Sequence, residues 1–120
     1  MSKIITAINT MITHENMISN AQIGTNIKEI FFLYNEKYKW SISINNENNQ
    51  YFLYYYSGDE TIEALASHEG TWEGTKYIHY SSKDLKTREA YESMVELYRI
   101  VKEKAYGVDQ ALNDIINGIP

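Results

Sequence analysis

The 120-residue sequence contains no cysteine and only one proline. Without cysteine there is no disulfide framework, no thiolate metal site and no cysteine nucleophile, so the fold has to be held by its hydrophobic core. Polar residues interrupt segment 1–10 before a signal-peptide hydrophobic region could form. An intracellular setting fits these features best, and we expect a cytoplasmic protein.

Long hydrophobic runs and excess positive charge are missing as well. The longest apolar runs, 30–34 and 51–56, fall far short of the roughly 20 residues that cross a bilayer. The formal net charge is −5, which disfavours sequence-independent binding to phosphate backbones. We therefore expect neither a membrane nor a nucleic acid as a partner.

The composition is otherwise that of a folded protein, with 43% hydrophobic and 22% charged residues. A chain of this length can build one adequate core but not two, so we predict a single domain over residues 1–120. Tyrosine supplies 11 residues, and isoleucine, asparagine and lysine are also abundant. This usage suggests an AT-rich genome, such as that of a low-GC bacterium or its phage.

The first third of the chain predicts a helix and then a connection. Ser2 can cap a helix whose apolar positions recur at helical spacing: Ile4, Ile5, Ile8, Met11 and Ile12. The stretch 20–26 is rich in turn-forming residues, which predicts an irregular connection.

Three extended segments, 29–34, 38–44 and 51–56, predict an antiparallel meander. The middle segment alternates strictly, with Lys39, Ser41 and Ser43 on its polar side. A short helix carrying Ile62, Leu65 and Ala66 should follow, capped by Asp59 or Ser57. Segment 76–80 predicts a fourth strand.

The C-terminal third predicts a long helix from Leu85 or Thr87 to Tyr106, ended by Gly107. A last helix, capped at Asp109, should bury Leu112, Ile115 and Ile116. The predicted fold class is α+β, in which an N-terminal helix is followed by an antiparallel three- to four-stranded meander sheet. A long C-terminal helix plus a short terminal helix should pack on that sheet.

Catalytic and cofactor motifs are absent. There is no nucleophile elbow and no phosphate-binding loop, and His14, His68 and His79 do not have metal-site spacing. We predict no catalytic residues, no metal and no cofactor. The alternative that remains open brings His68 and His79 together with Glu63 or Glu69, for metal binding or for a hydrolase reaction.

The feature that calls for explanation is an excess of aromatic residues. In segment 51–56, Tyr51, Leu53 and Tyr55 face one side, and Phe52, Tyr54 and Tyr56 face the other, so rings line both faces. The simpler explanations are helices on both faces or lateral packing of cross-strand pairs. The functional explanation is a binding surface, whose candidate residues are Tyr51, Tyr54, Tyr55, Tyr56, Trp72 and His79.

The leading hypothesis is a small non-enzymatic binding module of the inhibitor, immunity or adaptor type that contacts a protein partner through a tyrosine-rich sheet face. A homodimer would also use such a surface. The main alternative is a protein that binds or sequesters a small ligand or nucleotide in an aromatic-lined pocket. A hydrolase that uses histidine and carboxylate groups is the third hypothesis.

Overall fold

A computed structural model describes residues 2–67 and 74–118 of the chain. The elements in chain order are α1 (Lys3–Thr13), a 3-10 turn (Glu15–Met17), β1 (Ile18–Ile23), β2 (Glu29–Tyr34), β3 (Tyr38–Asn45), β4 (Gln50–Tyr56), α2 (Ile62–Ala66), β5 (Tyr77–Ser81), α3 (Ser82–Leu85), α4 (Arg88–Ala105) and α5 (Val108–Ile116). None of the helices in these two stretches is long and apolar enough to cross a membrane.

The five strands form one antiparallel sheet in the order β1-β2-β3-β4-β5. The predicted α+β class and meander are confirmed, but the sheet has five strands and not three to four. The prediction of an irregular connection at 20–26 is wrong over the part that β1 occupies. β1 escapes recognition because it is a bulged edge strand. Its register shifts between Ser19 and Gln22, and Asn20 has a positive φ of 52°.

Helices α1 and α4 cover one face of the sheet, as their apolar stripes predict. Ser2 Oγ accepts a hydrogen bond from the Ile4 amide at 3.3 Å, and Thr87 Oγ1 caps α4 through the Ala90 amide at 3.0 Å. The side chains buried between the helices and the sheet include Ile4, Ile5, Ile8 and Met11 of α1, Met94, Leu97 and Val101 of α4, and Ile30, Phe32, Ile42 and Leu53 of the strands.

The short helix α2 lies against the other face of the sheet. It is capped by Thr61, whose Oγ1 accepts from the Ala64 amide at 3.1 Å, and not by Asp59 or Ser57 as predicted. Thr61 occupies the N-cap position, because it directly precedes the first helical residue, Ile62. The helix buries Ile62 and adjacent apolar residues against β2 and β4.

The C-terminal helix α5 departs most from expectation. It begins at Val108, one residue before the predicted cap Asp109, because Gly107 adopts a left-handed conformation with φ 71°. Its residues Leu112, Ile115 and Ile116 are 50%, 73% and 78% exposed, so the prediction that they are buried is wrong. Their spacing defines an apolar helix face, but α5 packs against α4, and none of the elements in the described stretches covers this face.

Candidate binding face

The strand register places four aromatic residues together on the sheet face opposite α1 and α4. Tyr54 pairs with His79 across β4 and β5, and Tyr56 pairs with Tyr77. On their other side the same tyrosines pair with the polar face of β3, Tyr54 with Ser41 and Tyr56 with Lys39. We call Tyr54, Tyr56, Tyr77 and His79 the tyrosine face.

Tyr51 and Tyr55, two other candidates, lie on the helix-covered face. Tyr51 is buried, and its ring centroid lies 5.7 Å from the Tyr91 ring and 5.7 Å from the Tyr98 ring. Tyr55 packs against Trp40 with a centroid distance of 5.0 Å. The structure therefore splits the candidate surface: Tyr54, Tyr56 and His79 share one face, and Tyr51 and Tyr55 the other.

Two residues singled out in the sequence, Trp72 and His68, lie outside the described residues, as does Glu69. Glu63 is described, and its Oε1 accepts from Asn20 Nδ2 of β1 at 3.4 Å. His79 belongs to β5, the opposite edge strand of the sheet. The fold thus does not bring Glu63 to His79. In the two described stretches there is no group of three His, Asp or Glu side chains that could hold a metal.

Helix α2 covers only part of the tyrosine face. Tyr56 is 2% exposed and belongs to a small core with Phe31, Ile62 and Leu65. Tyr77, in contrast, is 44% exposed, and His79 beside it is exposed as well. Helices on both faces therefore account for Tyr56 but leave the β5 end of the tyrosine face open.

The rings of the tyrosine face pack against one another laterally. The Tyr54 ring lies 6.3 Å from Tyr56 at an interplanar angle of 15°, 5.6 Å from Tyr77 and 5.6 Å from His79. Pairs at these distances are favourable beyond the apolar area they bury. Lateral packing of cross-strand pairs is thus present too, and it produces a surface of mutually supported rings.

A chain of polar groups lies beneath these rings. Ser41 is buried, and its Oγ donates to Glu29 Oε2 at 2.8 Å. The Tyr56 hydroxyl lies 2.8 Å from the same Oγ. Because a serine hydroxyl carries one hydrogen, which here points to Glu29, Tyr56 donates to Ser41. Glu29 therefore receives a hydrogen bond that is itself reinforced by the tyrosine.

Burial changes the acid-base properties of this chain. It raises the pKa of Glu29, while the hydrogen bond from Ser41 opposes that rise. Burial also raises the pKa of Tyr54, and the negative charge of Glu29 raises it further. The pKa of Tyr56 is raised well above its ordinary value for the same two reasons, although its Ser41 hydrogen bond opposes the rise. The two tyrosines therefore remain neutral at physiological pH.

A small cavity opens between the polar chain and the rings. Its volume is about 110 Å³, and Glu29, Tyr54, Tyr56 and Tyr77 line it. Pockets for drug-sized ligands typically measure about 300–1,000 Å³, so this cavity cannot enclose a nucleotide. It has room for the end of a side chain or a similarly small group.

A second, larger depression lies on the other side of the molecule, between α4 and the β3–β4 turn. It is an open groove of about 580 Å³ whose walls are mostly apolar and whose rim is basic. Its lining residues are Ile27, Lys28, Ile44, Asn46, Tyr51, Val95, Tyr98, Arg99, Lys102 and Tyr106.

Three members of the site, Glu29, Ser41 and Tyr77, were not among the residues selected from the sequence. Each carries a signal that could have been used. Glu29 is the one charged residue of an otherwise apolar strand, and Ser41 occupies the polar side of β3. A hairpin turning at 35–37 brings these strands together, and Tyr77 belongs to the predicted fourth strand.

Comparison with known proteins yields no relative: no family model, no curated protein and no solved structure matches this chain.

Proposed function

We propose that this chain is a non-enzymatic binding module that contacts a protein partner through the open end of the tyrosine face. The observation that carries the proposal is the exposure of Tyr77 and His79 beside the partly covered Tyr54. Tyrosine suits this use because it offers a large apolar ring and a hydroxyl while losing few rotamers on binding.

The arrangement of the rings supports this proposal. Tyr54 contacts Tyr56, Tyr77 and His79, and the Tyr77 ring also lies 6.3 Å from the buried Tyr56 ring, so the exposed rings are held in place before a partner arrives. A preorganised surface loses less conformational entropy on association than a flexible one. Ile78, which is 59% exposed on the opposite side of the same edge strand, extends the apolar surface around that edge.

The experiment is affinity capture from lysate with the wild-type chain and two variants, followed by calorimetry with each purified captured protein. The test variant is Tyr77→Ala combined with His79→Ala, which removes exposed rings. The control is Tyr38→Ala, which removes a ring of similar exposure, 39%, at the β2–β3 turn. We expect the test variant to weaken binding at least about tenfold and the control to leave it unchanged. Equal binding by all three proteins rejects the proposal.

Binding of a small ligand is the second candidate, and the open groove beside α4 is the observation that favours it. Its volume of about 580 Å³ lies in the range of ligand pockets, and Lys28 and Lys102 could pair with an anionic group. Native mass spectrometry of the protein purified from cells tests this candidate. A bound mass that disappears in a Lys28→Ala, Lys102→Ala variant supports it, and an empty protein contradicts it.

The cytoplasmic location, the homodimer and the bacterial or phage origin inferred from the sequence remain predictions. The inhibitor, immunity and adaptor roles share one requirement, a stable surface that meets a protein partner. The tyrosine face is the proposed surface for all three.

A further inference from the structure

Three residues that line the cavity beneath the tyrosine face carry oxygens for which residues 2–67 and 74–118 supply no donor. Glu29 Oε2 accepts from Ser41, but no group in the described stretches donates to Oε1. The hydroxyls of Tyr54 and Tyr77 likewise have no hydrogen-bond partner among the described residues. Three residues that carry acceptor groups, each from a different strand, thus line one small space.

The described part of the chain also supplies no cation for the negative charge of Glu29. No Lys, Arg or His side chain in residues 2–67 and 74–118 lies within ion-pair distance of it. Lys39 lies on the same sheet face, but its ammonium donates to the carbonyl oxygens of Gly58 and Glu60. A half-buried carboxylate without a cationic partner is costly, and its raised pKa expresses that cost.

We propose that this cavity binds a primary alkylammonium group, supplied by a lysine side chain of the protein partner. An ammonium carries three N–H donors, which match Glu29 Oε1 and the hydroxyls of Tyr54 and Tyr77. The tyrosine rings add an attraction between the cation and their negative faces. The inference rests on the proposed function for the source of the ammonium and deepens it by naming the partner's chemistry.

Size selects the primary ammonium over larger cations. The cavity of about 110 Å³ holds a few times the roughly 30 Å³ that one water molecule occupies in the liquid, which suits an ammonium and the last methylenes of a lysine. A quaternary ammonium has no N–H donors and would leave the acceptor oxygens unsatisfied. The cavity should therefore prefer a primary to a trimethylated ammonium, the reverse of an aromatic cage built from ring faces alone.

The test is an NMR titration of the isotope-labelled chain with n-butylammonium chloride, at constant ionic strength. Parallel titrations use n-butyltrimethylammonium and neutral n-butanol. We expect saturable shifts at Glu29, Tyr54 and Tyr77 with a millimolar dissociation constant for n-butylammonium. We expect at least about tenfold weaker binding of the other two compounds. Equal binding of the trimethylated cation, or no saturable shift at these residues, overturns the proposal.

Matched variants separate the pocket from general attraction between charges. Glu29→Gln keeps the shape of the side chain and removes its charge, so we expect it to weaken n-butylammonium binding at least about tenfold. Tyr54→Phe combined with Tyr77→Phe keeps both rings and removes two hydroxyls, and it should also weaken binding. Glu47→Gln, at an exposed position of the β3–β4 turn, is the control and should bind as wild type does. Equal binding by Glu29→Gln overturns the proposal.

A final experiment distinguishes a lysine of the partner from a free amine as the source of the ammonium. It also tests the ammonium site separately from the proposed binding face. A purified partner from the capture experiment should lose affinity when its interface lysines are acetylated, and its binding should compete with n-butylammonium. If n-butylammonium binds at Glu29 but neither acetylation nor competition affects the partner, the cavity serves a free amine and the lysine assignment fails. If the partner depends on Tyr77 and His79 but n-butylammonium does not bind, the binding face stands and the ammonium site fails.

Discussion

Ser41 Oγ stands 2.8 Å from the Tyr56 hydroxyl and 2.8 Å from Glu29 Oε2, and it therefore joins three adjacent strands through one buried atom. A hydroxyl in this position serves both neighbours at once, because it donates to the carboxylate and accepts from the phenol. Alanine cannot replace either bond. The link makes Ser41 a residue of the site although it does not line the cavity.

Replacement of Ser41 by alanine should destabilise the protein and raise the pKa of Glu29 further. The variant removes one partner from Tyr56 and one from Glu29, and we expect the free energy of unfolding to fall by about 1–3 kcal/mol. Urea denaturation measures the loss, and carboxyl-detected NMR follows Glu29. Ser43→Ala, on the same face of β3 but only half-buried, is the control and should have a small effect. A pKa of Glu29 that stays unchanged in Ser41→Ala would contradict the direct contact.

Replacement of Glu29 by glutamine should stabilise the empty protein at neutral pH. Burial raises the pKa of Glu29 above its ordinary value of 4.5 in the folded state. As the pH rises past 4.5, the unfolded chain loses this proton first, so the wild type loses stability until the pH exceeds the folded pKa. Well below pH 4.5 both the folded and the unfolded state hold the proton, so Glu29 adds nothing to the pH dependence of the free energy of unfolding.

The measurement is the free energy of unfolding of wild type and Glu29→Gln from about pH 3 to pH 7. We expect the glutamine variant to gain on the wild type as the pH increases and the two to converge at low pH. The comparison cancels the other carboxylates, such as Glu96, whose pKa is lowered by its hydrogen bond from Arg99. A constant difference across the whole range would show that the charge of Glu29 is not the cause.

Gly24 should not tolerate a side chain because it lies next to Phe31, a buried ring that packs with Ile62 and Leu65 of α2. A Cβ atom at Gly24 would lie 2.7 Å from Phe31 Cε1 and 3.3 Å from Cδ1. Since the ring is buried and packed, Gly24→Ala should cost about 1–3 kcal/mol by overpacking. Gly58→Ala is the matched control. Its Cβ would meet only the far end of the Glu60 side chain, which can shift more easily than a packed ring, so thermal unfolding should change little in that variant.

The sequence correctly predicts the elements whose hydrophobic periodicity matches the secondary structure that they form. Helices α1 and α4 bury most of the apolar stripe that their periodicity defines, and β3 forms where its alternation predicts a strand. Strand β1 could not be recognised, because its residues are mostly polar and turn-forming. The bulge and the positive φ of Asn20 are what accommodate such residues in an edge strand. The apolar face of α5 was recognised, but periodicity does not reveal whether another element of the fold covers it.

The site was predictable only in part, because it depends on strand register. Alternation in β4 separates Tyr54 and Tyr56 from Tyr51 and Tyr55, and this separation could be read directly. Which of the two faces receives α1 and α4 could not be read, since both carry large rings. The contact of Glu29 with Ser41 requires the pairing of β2 with β3. In this pairing Glu29 lies opposite Ser43, and Ser41 is the next residue on the same face of β3.

The charged network on α4 should matter far less to stability than the core beneath it. Arg99 contacts Glu96 at 2.6 Å and Glu103 at 2.6 Å, but all three side chains are 41–52% exposed. Solvent screens such pairs, so Arg99→Ala should change the free energy of unfolding by less than about 1 kcal/mol. Leu97→Ala, two residues away and fully buried, should cost about 2–5 kcal/mol. Similar losses in both variants, measured by urea denaturation, would contradict this division.

The exposed face of α5 offers a test of self-association that does not disturb the core. Ile115 and Ile116 are 73% and 78% exposed, so changing both to serine should alter the stability of a monomer by no more than about 0.5 kcal/mol. If a homodimer covers this face, light scattering of the wild type should show a dimer that becomes a monomer in the double variant. We expect this outcome, because an apolar helix face that the described residues leave exposed would be stabilised by burial against a second copy. A wild type that stays monomeric at high concentration would rule out the homodimer.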